Sequence, residues 1–172
     1  MRTAGILLAL VAALAIQTSL AGLRIGGTTA VNLVLVTVVY VALAFGAVPG
    51  VLAGTVGGLL QDALAGGIIG IGGLAKSLVG FVVGVLGAQF IVSQTVPRFV
   101  IFVGATVAHE TCFQALHAMV EARPFRMSYS TVLTQAAING CLGILAFWLV
   151  ESGPKMLERR RASRTSLSRR RF

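Results

Sequence analysis

Charge is scarce in this chain. Asp, Glu, Lys and Arg make up 11% of its 172 residues, where an ordinary soluble domain carries roughly a quarter. With 56% hydrophobic residues and a mean hydropathy of +0.92, the chain has too little polar surface to cover a water-soluble globule. The apolar content excludes disorder over most of the length, and no polar stretch is long enough for a large extramembrane domain. Aromatic residues reach only 7%. The two cysteines, Cys112 and Cys141, lie in apolar stretches without a CxxC or zinc-like spacing, which reads as two small buried hydrophobes. Nucleophilic catalysis lacks a GxSxG or a recognisable Ser/His/Asp group. The glycine-rich stretches lack the GK[ST] of a phosphate loop. No cofactor or metal is expected.

What remains is a polytopic membrane protein. A transmembrane helix takes about 20 residues, so the length allows roughly six spans with short loops. The apolar stretches predict an all-α bundle with spans at about 4–23, 29–45, 46–64, 74–92, 97–120 and 128–150. They divide the chain into a six-helix transmembrane domain over 1–152 and a tail over 153–172. The first stretch also resembles a signal peptide, with Ser19-Leu20-Ala21 as a small-residue site, but reads better as a retained anchor. The β-branched run in the second would suggest a strand in water. In a bilayer an isolated strand leaves its backbone unpaired, so helix is expected. The segment Ala63–Gly73 holds five glycines and reads as a tight or partly re-entrant connection. Gly153-Pro154 is expected to end the sixth helix.

Net charge is +9, but eight of the 14 basic residues follow Gly153. Arg159, Arg160, Arg161, Arg169, Arg170 and Arg171 dominate this tail, which is expected to lie on an anionic cytoplasmic lipid surface. No folded reading module accompanies it, so nucleic acid is not the expected partner. With six spans, the tail, Arg2 and Arg98 fall on one side and Arg24, Arg123 and Arg126 on the other. Both termini are therefore expected in the cytoplasm.

Ionisable residues within apolar stretches are costly and become the candidates for function. Asp62 stands in an otherwise uncharged run from Ile25 to Ala75. It reads as a cap or ion pair where the glycine-rich connection begins, with Lys76 as its expected partner, or else as a ligand contact. The fifth span carries His109, Glu110, His117 and Glu121. At about 100° per residue, Glu110, His117 and Glu121 share a face with Gln114 between them. That face reads as a polar seam turned to the bundle interior, with a proton relay as the alternative. HETCF opens like HExxH, but Phe113 stands where the second histidine is required.

Small residues recur at helical spacing at Gly50/Gly54/Gly58, Gly80/Gly84 and Ala9/Ala13. Such stripes let helices approach closely. They serve either a partner helix or packing within the bundle. If they serve a partner, Leu at Gly54 or Gly84 would release it without unfolding the bundle.

The run Gly58-Leu-Leu-Gln-Asp62-Ala-Leu-Ala-Gly66-Gly-Ile-Ile-Gly70 reads GxxxDxxxGxxxG. It resembles the central signature of the bacterial rod shape-determining MreD family. The small size, Tyr40 in the second span, Glu110 in the fifth and the basic C-terminus fit as well. The stretch Arg24–Asn32 departs from the family pattern in lacking a proline. The resemblance implies a non-enzymatic scaffold of the inner membrane in the lateral cell-wall elongation machinery. It implies binding to the membrane helix of the single-span protein MreC, and indirect coupling of the MreB filament to the peptidoglycan transpeptidase and glycosyltransferase. It also implies a fold similar to the six-helix substrate-binding subunits of energy-coupling-factor transporters. By residue match, Asp62, Gly58, Gly66 and Gly70 would form the signature turn, and Glu110 the polar position of the fifth span. A small-molecule-binding transporter subunit is the alternative function. An intramembrane enzyme or carrier built on Asp62, Lys76 and Glu110 stands third.

Overall fold

Each of the six apolar stretches becomes a helix, since that conformation pairs every interior backbone group within its own segment. The structure is a computed structural model. It describes residues 2–19, 24–25, 28–29, 31–89, 94–122, 124–125 and 127–169, with side chains described only between 3 and 151 and not for 24–25 or 28–29. The helices are α1 (Arg2–Ser19), α2 (Leu33–Phe45), α3 (Ala47–Ala65), α4 (Ile71–Gln89), α5 (Thr95–Glu121) and α6 (Tyr129–Arg169). Between α1 and α2, β1 (Arg24–Ile25) and β2 (Thr28–Thr29) pair antiparallel, Arg24 opposite Thr29. The proposed cleavage site at Leu20-Ala21, and Arg123 and Arg126, lie outside the described residues.

Four of the helices are long and apolar enough to cross a membrane: α3, α4, α5 and the Tyr129–Glu151 part of α6. α1 and α2 are apolar but shorter. The surface pattern is that of a protein in lipid. Leu8, Val48, Leu52, Phe81, Val100 and Trp148 are exposed, while Lys76, Thr106, His109 and Asn139 are buried. Polar groups gain partners inside such a bundle that lipid cannot supply.

Three boundaries differ from the sequence expectation. α2 begins at Leu33, not Thr29, because Asn32 caps it and Thr28–Thr29 belong to the hairpin. Its 13 residues span about 20 Å at 1.5 Å per residue, short of a hydrocarbon core of about 30 Å. α4 begins at Ile71, three residues early, because its first turn has a side-chain acceptor described below. The connection Gly66–Gly70 is correspondingly tight. Gly66 ends α3 in the left-handed region (φ 67°) and Gly70 enters α4 at φ 111°, conformations that a Cβ disfavours. Finally, α6 does not stop at Gly153-Pro154 but continues to Arg169. An internal proline removes one N–H and crowds the preceding turn. The strong helix formers beyond it (KMLERRRA) carry the helix through.

Helices consecutive in the chain run antiparallel. α3 and α4 pack backbone to backbone. A Cβ on Gly50 would lie 2.6 Å from the Gly80 carbonyl oxygen, and one on Gly54 2.5 Å from that of Lys76; Gly58 meets Gly73, and Gly84 meets Ala47. α5 and α6 interlock through rings on glycines, Phe99 over Gly140 and Phe102 over Gly143. Leu35, Val39, Val79, Val83, Phe102 and Phe147 form the main apolar core, and Leu10, Leu14, Val34 and Val38 a second beneath α1. At the end of the bundle where α5 begins, Arg98 on α5 pairs with Glu151 on α6 at 2.7 Å and lies 4.3 Å over the Phe147 ring.

Candidate functional site at the polar end of the bundle

The buried polar side chains collect toward the other end, where α1, α3 and α5 finish and α2, α4 and α6 start. Every helix start exposes N–H groups without intrahelical partners. In lipid these must be met by side chains. Asp62, in the last turn of α3, does this for α4. Its Oδ2 accepts hydrogen bonds from the amides of Gly70 (2.9 Å), Gly72 (2.9 Å) and Gly73 (3.3 Å). A carboxylate at a helix N-terminus also meets the positive end of the helix dipole. Gly72 allows this approach, since a Cβ there would collide with Asp62 Oδ1.

The expected Asp62–Lys76 pair does not form: no ion pair joins these two described residues. Asp62 acts as a cap, and Lys76, one turn further along α4, turns to α5 instead. Its Nζ lies 3.1 Å from His109 Nε2. With Lys76 as an ammonium, which can only donate, Nε2 is the acceptor and a neutral imidazole carries its hydrogen on Nδ1. That nitrogen lies 3.4 Å from Glu110 Oε1, without the angle of a formed hydrogen bond. Gln135 of α6 is the other polar neighbour of the Glu110 carboxylate. Lys76, His109 and Glu110 are thus a buried line of ammonium, imidazole and carboxylate joining α4 to α5.

His117 and Glu121 take no part in it. His117 sits half-buried, its Nδ1 3.2 Å from the Phe113 carbonyl oxygen and its ring against Phe113. Glu121 is exposed at the end of α5. The shared face of Glu110, His117 and Glu121 is correct as helix geometry but is not a uniformly buried seam. No α5 residue after Glu110 is fully buried.

A second network was not anticipated. Asn139 of α6, fully buried, accepts from the Asn32 amide (3.1 Å) and donates to Thr106 Oγ1 (3.3 Å). Gln17 of α1 accepts from the Val34 amide (3.2 Å), and Asn32 from that of Leu35 (3.1 Å). Two helices, α1 and α6, together with the cap residue Asn32, therefore supply the side chains that satisfy the start of the short α2. The signal was present as Gln17, Asn32 and Asn139 in otherwise apolar stretches, but neutral amides draw less notice than charges.

The glycine stripes also resolve. Gly50 faces Gly80, Gly54 the Lys76 backbone, Gly58 that of Gly73, and Gly84 that of Ala47, so both stripes are spent in the α3–α4 contact inside the bundle. That overturns the expectation that Leu at Gly54 or Gly84 would leave the bundle folded. The Ala9/Ala13 stripe is divided, Ala13 buried and Ala9 exposed. Of the tail, Arg159, Arg160, Arg161 and Arg169 lie on the backbone of α6, while Arg170 and Arg171 fall outside the described residues. Cys112 and Cys141 are free thiols, half-buried and exposed, not the buried hydrophobes expected. Among the described residues no three of His, Cys, Asp and Glu gather as metal ligands.

Chemically, the arrangement holds helices together and sets a buried lysine amine and a buried carboxyl group on either side of one imidazole. The family described as rod shape-determining protein MreD matches residues 1–152, the whole bundle including both polar networks. No curated protein and no solved structure matches the chain, so the likeness to energy-coupling-factor subunits has no support there.

Proposed function

Since this chain belongs to the rod shape-determining protein MreD family, a family of structural, multi-pass membrane proteins, we propose that it is a non-enzymatic scaffold of the bacterial cell-wall elongation complex. In this proposal it sits in the cytoplasmic membrane with both termini inside. It binds the membrane helix of MreC and, through MreC, couples the MreB filament to the transpeptidase and glycosyltransferase of peptidoglycan synthesis. The basic end of the chain contacts anionic lipid.

The family match over 1–152 carries this reading. The architecture supports it. α2 and α3 are joined through Gly46 alone, and α3 and α4 through Gly66–Gly70. Connections this short leave the membrane faces of the helices as the main surface for a partner. The buried polar groups are engaged in holding helix starts and helix pairs, as a scaffold requires.

Depletion of the protein in its native bacterium tests the proposal. Rod cells should widen and become round as the protein is lost. Cells that stay rod-shaped after full depletion would contradict it.

A further inference from the structure

The bundle contains two tightly fastened pairs with a looser seam between them. α3 and α4 are locked by their glycines, and α5 and α6 by Phe99 and Phe102 on Gly140 and Gly143. Between α4 and α5 lies an apolar groove of about 350 Å³, lined among others by Val79, Val83, Ile101, Gly104, Ala108 and Cys112. At the polar end of this seam stands the contact between Lys76 Nζ and His109 Nε2.

We propose that Lys76, His109 and Glu110 form a proton-binding latch between α4 and α5, closed while the imidazole is neutral and released when the cluster takes up one more proton. In the closed state the Lys76 ammonium donates to Nε2, and the Nδ1 hydrogen faces the Glu110 carboxylate. One positive and one negative charge balance across a neutral ring. An added proton has two places to go. On Nε2 it occupies the lone pair that the ammonium uses, so the interhelical hydrogen bond breaks and two cations face each other. On Glu110 it leaves the ammonium without its counter-charge. Each outcome weakens the seam, because buried charge is tolerated only when paired.

The surroundings do not supply a substitute. Asp62, the charged group that α3 brings near, is committed to the amides of Gly70, Gly72 and Gly73. α6 contributes neutral Gln135, and α2, packed on both α4 and α5, carries no ionisable side chain except Tyr40 near its far end. The inference concerns the isolated protein, so it stands or falls separately from the scaffold proposal.

Cys112 reports on the seam because it lines the groove, and Cys141 on α6 gives a reference thiol exposed outside it. The full chain in lipid nanodiscs, as Cys141→Ser and Cys112→Ser versions, is labelled with a membrane-permeant maleimide across a pH series. The Cys141 rate is the reference for changes that do not involve the seam. The latch predicts a several-fold rise in the ratio of the Cys112 rate to the Cys141 rate on acidification, and a rise diminished in His109→Gln, in Glu110→Gln or in both. A flat ratio in the parent overturns it. So does an undiminished rise in both His109→Gln and Glu110→Gln. Should those variants fail to fold, nitrogen-15 histidine spectra of the parent decide. A His109 signal that leaves the neutral Nδ1–H form over the pH range of the labelling rise supports the latch. Opening without any change at the imidazole or the Glu110 carboxylate overturns it.

Discussion

The Asp62 carboxylate receives the Gly72 amide at 2.9 Å, and a Cβ on Gly72 would strike that same carboxylate. The acid and the missing side chain are therefore one device. It closes the α3–α4 hairpin by supplying the acceptor that the start of α4 lacks in lipid.

Replacing Gly72 with Ala should push Asp62 away from the amides. Hydrogen bonds to a charged group are worth roughly 1.5–3 kcal/mol each, so Gly72→Ala and Asp62→Ala should both lower stability by at least about 2 kcal/mol. Asp62→Asn, which keeps one carbonyl acceptor, should lose less. Thermal unfolding in mild detergent checks the order; a Gly72→Ala protein as stable as the parent would refute the device.

Gly54 and Gly104 make a paired test of packing. A Cβ at Gly54 lies 2.5 Å from the Lys76 carbonyl oxygen, whereas one at Gly104 meets nothing within 4 Å. Gly54→Leu should abolish the monodisperse folded species on size exclusion, and Gly104→Leu should retain it. Equal recovery of the two would show that the α3–α4 contact is not backbone-close.

Lys76 is predicted to matter through charge balance. Lys76→Met removes the positive group that faces the buried Glu110 carboxylate across the His109 ring, and a buried charge left without compensation should lower stability. Lys76→Met with Glu110→Gln should recover much of that loss. A double variant as unstable as the sum of the single ones would mean that the two residues act independently.

Asn139→Leu should destabilise by roughly 1–3 kcal/mol, because it strands the buried Asn32 amide and removes a partner of Thr106. The loss should appear first as faster hydrogen exchange at the start of α2. Unchanged exchange there would argue against the cap.

How much of this could be read from residues alone follows from the range of each interaction. Asp62 and its glycines lie within a dozen residues of one another, so their spacing showed a family signature and offered a cap as one reading of Asp62, beside an ion pair with Lys76 or a ligand contact. The six helices were legible because apolarity over helical lengths has few other meanings. The direction of Lys76 was not legible, since His109 lies 33 residues away on another helix and only packing selects it over Asp62. Gln17 and Asn139 escaped for the same reason: which helix start each serves depends on which helices touch. The glycine stripes showed close packing but not against what. Pro154 misled because a proline weakens a helix locally, while its continuation depends on the residues on both sides.

The central claim is that this bundle serves as a scaffold for a single-span partner. Affinity purification of the tagged full-length protein from native membranes in mild detergent, with mass spectrometry of what accompanies it, tests that claim most directly. The account predicts recovery of MreC together with cell-wall synthases. Recovery instead of a membrane coupling protein with two ATPases, and no MreC, would contradict it and make the chain a transporter subunit.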